Sequence, residues 1–321
     1  MIHYRVTHAD LITEVDRESS QWWAKAYADT RHAIRSRTHD TTRQYWSEIK
    51  WAFMRLQHFK CAYCEKPLAE GRKAAIDYDI EHHRPKSRCL PWPDAKTRAH
   101  LAIDYDVGTG RARGYPELAY HLHNYAVTCK VCNSPYKHDF FPILGKADPK
   151  GCVPVLLNRA EQPVVPMPLG EWGEDPDAFL DFEGFIVVPR STEPATRRRA
   201  EILIDFFELN RRADLLVGRA TAIALVYQFN EEVRQPSLAR SPAEAQSWLD
   251  AALSDAAPYA AAARAFTRRY REDRTRARDI ARLALKFVAR KNLDLGTSLL
   301  SRLPARKLSF DQLMQAVDAT V

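Results

Sequence analysis

Apolar positions recur at helical spacing at both ends of the chain and lose that period in the middle. From Asp16 to about Lys60, Trp22, Trp23, Ala26 and Tyr27, then Tyr45, Ile49, Ala52, Phe53 and Leu56, follow a helical period and predict two helices. Trp46 and Trp51 add bulk beside this stripe, which reads as core before it reads as a base-stacking surface. Residues 1–16 are mixed, and the alternation of Ile2, Tyr4 and Val6 fits a small strand. Residues 74–80 predict a strand that feeds Glu81 and His82 and stops at Pro85. Pro67 and Gly71 mark a turn before it. Residues 87–120, with Pro91, Pro93, Gly108, Gly110, Gly114 and Pro116, read as a loop-rich insertion. His123 and Asn124 begin a return strand. Asn133 should then open a helix that tolerates Pro135 in its first turn. Residues 142–192 are proline-rich and predict irregular structure with short strands at Val153–Leu157 and Phe185–Val188.

Helical periodicity returns from Glu193, with Ile202, Leu203, Phe206, Phe207, Leu209 and then Leu215, Leu216, Ala220, Ile223, Ala224 and Tyr227. Ser241-Pro242-Ala243-Glu244 is a capping box with Pro at the first helical position. Ile280, Leu283, Phe287 and Val288 give the stretch 264–291 an apolar stripe and predict one amphipathic helix or a pair. Its 11 Lys and Arg against 3 Asp and Glu suit a solvated face, a nucleic-acid track or a docking surface. Phe310, Leu313, Met314 and Val317 predict a short docking helix after Ser309.

The 321 residues are 45% hydrophobic, enough for one large domain or two modest ones and too apolar for global disorder. The net charge of +7 is uneven: +6 over residues 1–150, −5 over 151–192 and +6 over 193–321. That balance favours nucleic acid, an acidic membrane or an acidic partner without choosing among them, and makes the middle segment a poor phosphate contact. There is no apolar run of membrane-spanning length and no signal-peptide core, so a cytoplasmic protein with reduced thiols and no membrane partner is expected.

The cysteines change the picture most. Cys61 and Cys64 form one Cys-x-x-Cys pair, and Cys129 and Cys132 form another 64 residues further on. Two such turns can supply four thiolates to one tetrahedral zinc, a closed structural site; a disulfide pair or a redox motif are the weaker readings. Cys89 and Cys152 are spare.

Between the pairs stand Glu81-His82-His83-Arg84-Pro85-Lys86-Ser87 and His123-Asn124-Tyr125, and beyond them Asn133 and Lys137-His138-Asp139. This order, Cys-x-x-Cys, Glu-His-x-x-Pro, Asn-Tyr, Cys-x-x-Cys-Asn, resembles an HNH endonuclease with its ββα-metal core. Tyr63-Cys64-Glu65, the Glu-His-x-Arg-Pro-Lys-Ser run and Cys-x-x-Cys-Asn-Ser resemble the bacterial HNH proteins of Septu-like and retron-associated phage defence systems. Asp175-Pro176, Phe179-Leu180, Gly184-Phe185-Ile186, Glu208-Leu209-Asn210-Arg211 and Arg219 extend the resemblance to roughly residues 43–230.

The resemblance implies an α+β fold: a ββα-metal HNH core with a four-cysteine zinc site, embedded in a mainly helical chain. Four regions follow: an N-terminal helical region (1–60), the nuclease core with its zinc knuckles (61–150), an irregular acidic segment (151–192) and a C-terminal helical region (193–321). It further implies hydrolysis of phosphodiester bonds, in DNA before RNA, with His82 as general base and Asn124 orienting its ring. Glu81 and Asn133 would ligate a catalytic Mg²⁺ or Mn²⁺, with His138 as an additional or replacement ligand. Oxygen donors suit those hard cations. Arg84, Lys86 and Lys137 are candidate phosphate contacts, and His83 reads as structural filler. Neighbours on an extended strand point to opposite faces, so Glu81 and His82 share a site only at a strand end. By the same resemblance the chain would be the nuclease subunit of an anti-phage system, beside an ABC or SMC-like ATPase. Two other functions fit the residues: a non-catalytic zinc-stapled module that binds nucleic acid or protein, and a stand-alone restriction or homing nuclease.

Overall fold

The computed structural model describes residues 1–40, 42–69, 76–235, 240–289, 303–304 and 306–318. The chain divides into two compact units: residues 1–63 with 67–176, and residues 64–66 with 177–321. The fold is mixed α and β. Among the described residues the strands form three separate two-stranded antiparallel sheets.

In the first unit, α1 (His8–Glu18) and α2 (Trp22–Ser36) precede a 3₁₀ turn (Tyr45–Ile49) and α3 (Lys50–Leu56). The expected N-terminal strand is reduced to one bridge between Tyr4 and Leu169. A helix follows it at once, because Thr7 caps α1 with a full capping box through Asp10. Trp22 is fully buried, edge-on to Tyr45 and Tyr125, and Ala26, Ile49, Ala52 and Phe53 are buried as core, whereas Tyr27 of the same stripe is exposed.

β1 (Tyr78–His82) pairs with β3 (Tyr125–Cys129), Tyr78 opposite Cys129 and His82 opposite Tyr125. The strand therefore contains Glu81 and His82 instead of merely leading to them. Ala74 and Ala75 of the expected strand, and Gly71 of the expected turn, lie outside the described residues. The insertion holds α4 (Ala95–Leu101), capped by Asp94, and β2 (Gly108–Thr109), which pairs with β4 (Pro142–Ile143).

Two expectations fail here. Residues Cys132–Lys137 form a π-helical turn, not the start of an α-helix. Pro135 lies inside it, lacks an N–H and crowds the carbonyl one turn back, which the wider turn accommodates. Val153–Leu157 is not a strand but the start of α5 (Pro154–Glu161), with Pro154 at the first helical position.

The loops around the core are held by buried charge. Arg84 is 3.1 Å from Glu161, donates to Asn158 Oδ1 and lies over the rings of Tyr115 and Phe141. Glu117 accepts from Arg37, Arg111 and Arg113.

The second unit opens with the hairpin β5 (Leu180–Glu183) and β6 (Ile186–Pro189). Gly184 turns it at φ +60°, and a Cβ there would stand 2.3 Å from the Phe310 ring. Then come α6 (Pro194–Phe206), α7 (Ala213–Arg234), α8 (Pro242–Leu253), α9 (Ala260–Glu272), α10 (Arg274–Ala289) and α11 (Phe310–Asp318). The capping box at Ser241 and Glu244 forms as read. The amphipathic stretch is the pair α9–α10, with residues 290 and 291 outside the described residues. Phe185, Leu216, Ile223, Phe266, Ile280, Phe287 and Phe310 share one buried cluster. No helix among the described residues is long and apolar enough to cross a membrane.

The buried pair separates from surface pairs in an unfolding experiment. Glu161→Ala leaves the Arg84 guanidinium enclosed without its partner and should cost about 3–5 kcal/mol. Lys25→Ala, which removes an exposed pair with Glu48, should cost under about 1 kcal/mol. Urea denaturation of the two variants compares them, and equal losses would contradict the buried-charge account.

Candidate active site and metal centre

Cys61, Cys64, Cys129 and Cys132 converge. Their four sulfurs lie within 4.8 Å of one another, and all four residues are buried. Tetrahedral zinc with Zn–S near 2.3 Å spaces sulfurs by roughly 3.8 Å, so the cluster can hold a metal such as zinc. The Cys132 N–H donates to Cys129 Sγ at 3.4 Å, which favours a thiolate there.

Gln57, fully buried, clamps the first knuckle to β3. Its Nε2 donates to the carbonyls of Lys60 and Val127, and its Oε1 accepts the Val127 N–H at 2.7 Å. Nothing in its local sequence marks this role. The spare Cys89 is enclosed among Tyr115, Leu118 and Phe141, and burial pushes its thiol up to about 12.

A cleft of about 260 Å³ lies beside β1, lined by Glu81, His82, Lys86, Asn133, His138 and Asp139, with Ser87 and Ser134 among its other walls. Glu81 and His82 both reach it despite strand alternation, because β1 ends at His82.

His82 is buried edge-on between Trp46 and Tyr125, with ring centroids 4.8 Å and 5.0 Å away. Its Nε2 lies 3.0 Å from the Ala119 carbonyl. A carbonyl only accepts, so Nε2 carries the proton and Nδ1 carries the lone pair. Burial, and then the nearby Lys86 ammonium, hold the imidazole well below its ordinary pKa, so it is neutral at neutral pH.

Asn124 does not touch the His82 ring. Its Oδ1 accepts the Arg84 N–H at 2.8 Å, and its Nδ2 donates to the carbonyls of Arg84 and Leu118. It therefore ties the loop after β1 to the turn whose next carbonyl, that of Ala119, holds His82. The orienting role read from the sequence belongs to that backbone carbonyl, and Asn124 acts one step behind it.

Glu81 is buried 3.1 Å from Lys137 Nζ, which is itself fully enclosed. Burial raises the Glu81 pKa and the ammonium opposes that rise. Two of the expected phosphate contacts are corrected here. Lys137 is the counter-ion of Glu81, and Arg84 is buried against Glu161; neither reaches a surface. Lys86 does line the cleft, half-buried with its Nζ 4.9 Å above the Trp46 ring. His83 is structural as read, with Nε2 on the Val165 carbonyl.

Asn133 donates through Nδ2 to Asp79 at 3.4 Å, a bond that leaves Oδ1 unused. The π turn explains His138. Its N–H donates to the Asn133 carbonyl at 2.6 Å, so a five-residue spacing that suits an α-helix poorly brings both residues to one cleft. Asp139 is the site residue that sequence reasoning missed, although it closes the Lys137-His138-Asp139 run. Glu81, Asn133 and Asp139 bring side-chain oxygens, the donors that hard cations take, to the cleft lining, but the Asp139 carboxylate already accepts from Arg88 Nε at 2.6 Å. Lys137 is a resident positive charge with which such an ion would compete.

Comparison with family models, curated proteins and solved structures finds no match to this chain.

Two outcomes are expected. Purified chain should carry about one zinc by elemental analysis; Cys129→Ser should lose it and unfold at lower temperature, whereas Cys89→Ser should keep it. Stability should also fall with acid. Burial lowers His82, and it brings His121 and His123 to about 4, while their unfolded counterparts titrate near 6.5. The unfolded chain then binds more protons as pH drops, so this contribution is complete above about 6.5 and is lost toward the folded values. Glu81 acts in the opposite sense. Urea midpoints at pH 7 and pH 5 test this, and His123→Gln should reduce the difference.

Proposed function

We propose that the chain is a metal-dependent HNH-type endonuclease that hydrolyses phosphodiester bonds. The observation that carries the reading is His82, held as the Nε2–H tautomer by the Ala119 carbonyl with its basic nitrogen left for the cleft it shares with Glu81 and Asn133. Hydrolysis needs a base for the attacking water, and a neutral buried imidazole meets that need at Nδ1. Glu81, Asn133 and Asp139 would hold Mg²⁺ or Mn²⁺, which when bound supplies a Lewis acid for the charge on the phosphate and the leaving oxygen. Lys86 would contact the phosphate. Lys137 favours the charged form of Glu81 and keeps it in place beneath the cleft. The four-cysteine cluster, filled by structural zinc, would fix β3 and the π turn that carries Asn133.

DNA is favoured over RNA, and a role in anti-phage defence beside an ABC or SMC-like ATPase is part of the proposal. Both rest on resemblance alone. A second reading, a zinc-stapled binding module without catalysis, is favoured by one feature: Lys137 already neutralises Glu81.

Cleavage of plasmid DNA and structured RNA by the purified chain, with and without Mg²⁺ or Mn²⁺, separates the two. The nuclease reading expects metal-dependent nicking that falls by about 10²-fold or more in His82→Ala. It expects a smaller loss in Asn124→Ala, which loosens the Ala119 carbonyl without removing the base. Equal nicking by a zinc-loaded His82→Ala would reject His82 as the base.

A further inference from the structure

Seven of the nine cations of the α9–α10 pair fall into two sets, with Arg269 and Arg271 of α9 outside both. Arg264 pairs with Asp255, Arg268 with Asp181 at 2.9 Å, and Arg276 reaches both Glu183 and Asp311 at 3.1 Å while lying over the Phe310 ring. These three are structural, and they show what the acids of the β5–β6 hairpin are for: they answer arginines of their own unit. The second set is different. Arg274, Arg278, Arg282 and Lys286 recur every four residues along the outer face of α10, and all four are exposed. The inner face carries Ala277, Ile280, Ala281, Leu283, Ala284 and Phe287. The acids near Arg274 and Arg282 answer them weakly. Asp279 stands 3.8 Å from Arg282, with both side chains well exposed to water. Glu231, the acid near Arg274, is already engaged by Arg234 and Tyr270.

Four helical residues advance about 6 Å and overshoot a full turn by about 40°, so the four cations form a row that rises about 18 Å along the helix while winding about 120° around it. We propose that this row is a docking track for the sugar–phosphate backbone of nucleic acid. The match is to a polymer that repeats a negative charge at regular short intervals. Three of the four side chains are guanidinium forks, which take two phosphate oxygens at once. A lipid surface fits less well, because Leu285 is the one large apolar side chain exposed on this helix and an interfacial helix needs an apolar face to sink. An acidic protein would need a matching row of carboxylates. The track binds without reading sequence, since its contacts are to the backbone. It does not depend on the cleavage reading and would hold in a chain that cuts nothing.

The test is fluorescence anisotropy of labelled 20-nucleotide single strands and duplexes of unrelated sequence, titrated with the full chain at increasing salt. Wild type is compared with Arg278→Gln/Arg282→Gln. Both arginines are exposed, so an unchanged melting temperature verifies the fold. The track predicts binding of every sequence, with log affinity falling linearly in log salt. The double variant should lower that slope by roughly 1.5–2 and should weaken binding about tenfold or more at low salt. An unchanged slope in the double variant, no binding by wild type, or equal capture of polyglutamate or anionic vesicles would overturn the proposal.

Discussion

The antiparallel ladder between β1 and β3 is the constraint on which the rest of the first unit depends. Five residue pairs place Tyr78 against Cys129 and His82 against Tyr125. A slip of one residue would turn Glu81 away from the cleft and move Cys129 off its partners. Two short strands alone are marginal in water. This ladder is reinforced at the cysteine end by four converging thiols and by Gln57, which satisfies both the N–H and the carbonyl of Val127. At the other end His82 and Asn124 tie it to the turn at residues 118–119. A metal in the four-cysteine cluster would stiffen the ladder at the end away from His82.

Around this ladder, charge joins segments that regular structure does not. The insertion and the proline-rich segment offer few backbone ladders, and their loops are joined through Arg84, Arg111, Glu117 and Glu161. Each charge is enclosed with an opposite one, which makes the arrangement specific and costly to break at one end. The same logic reaches the cleft, where Lys137 balances Glu81. The carboxylate is thereby kept buried and oriented by a cation of the chain itself.

The four-cysteine cluster was legible because the spacing of a Cys-x-x-Cys turn is tied to covalent geometry. Two Cys-x-x-Cys turns and a strand-end Glu-His pair can be found by counting. The helical second unit was legible from period and caps, as at Ser241 and Ser309. What failed had competing local signals. Val153–Leu157 reads as a strand by its branched residues, yet Pro154 at a first helical position starts α5. Asn133 and His138 looked mismatched on a 3.6-residue period because Pro135 forces a wider turn. Arg84 and Lys137 looked like phosphate contacts because cations are usually exposed, and their partners Glu161 and Glu81 are distant in sequence. The Ala119 carbonyl that orients His82 could not have been read at all, since backbone atoms carry no sequence signature.

The account turns on one proton. Nitrogen-detected NMR of chain labelled with ¹⁵N in its histidines, assigned through His82→Ala, reports which ring nitrogen of His82 holds it. A neutral ring protonated at Nε2, with Nδ1 bare at pH 7, is the predicted result. An imidazolium at that pH, or a proton on Nδ1, would contradict the proposal that His82 activates water in this cleft.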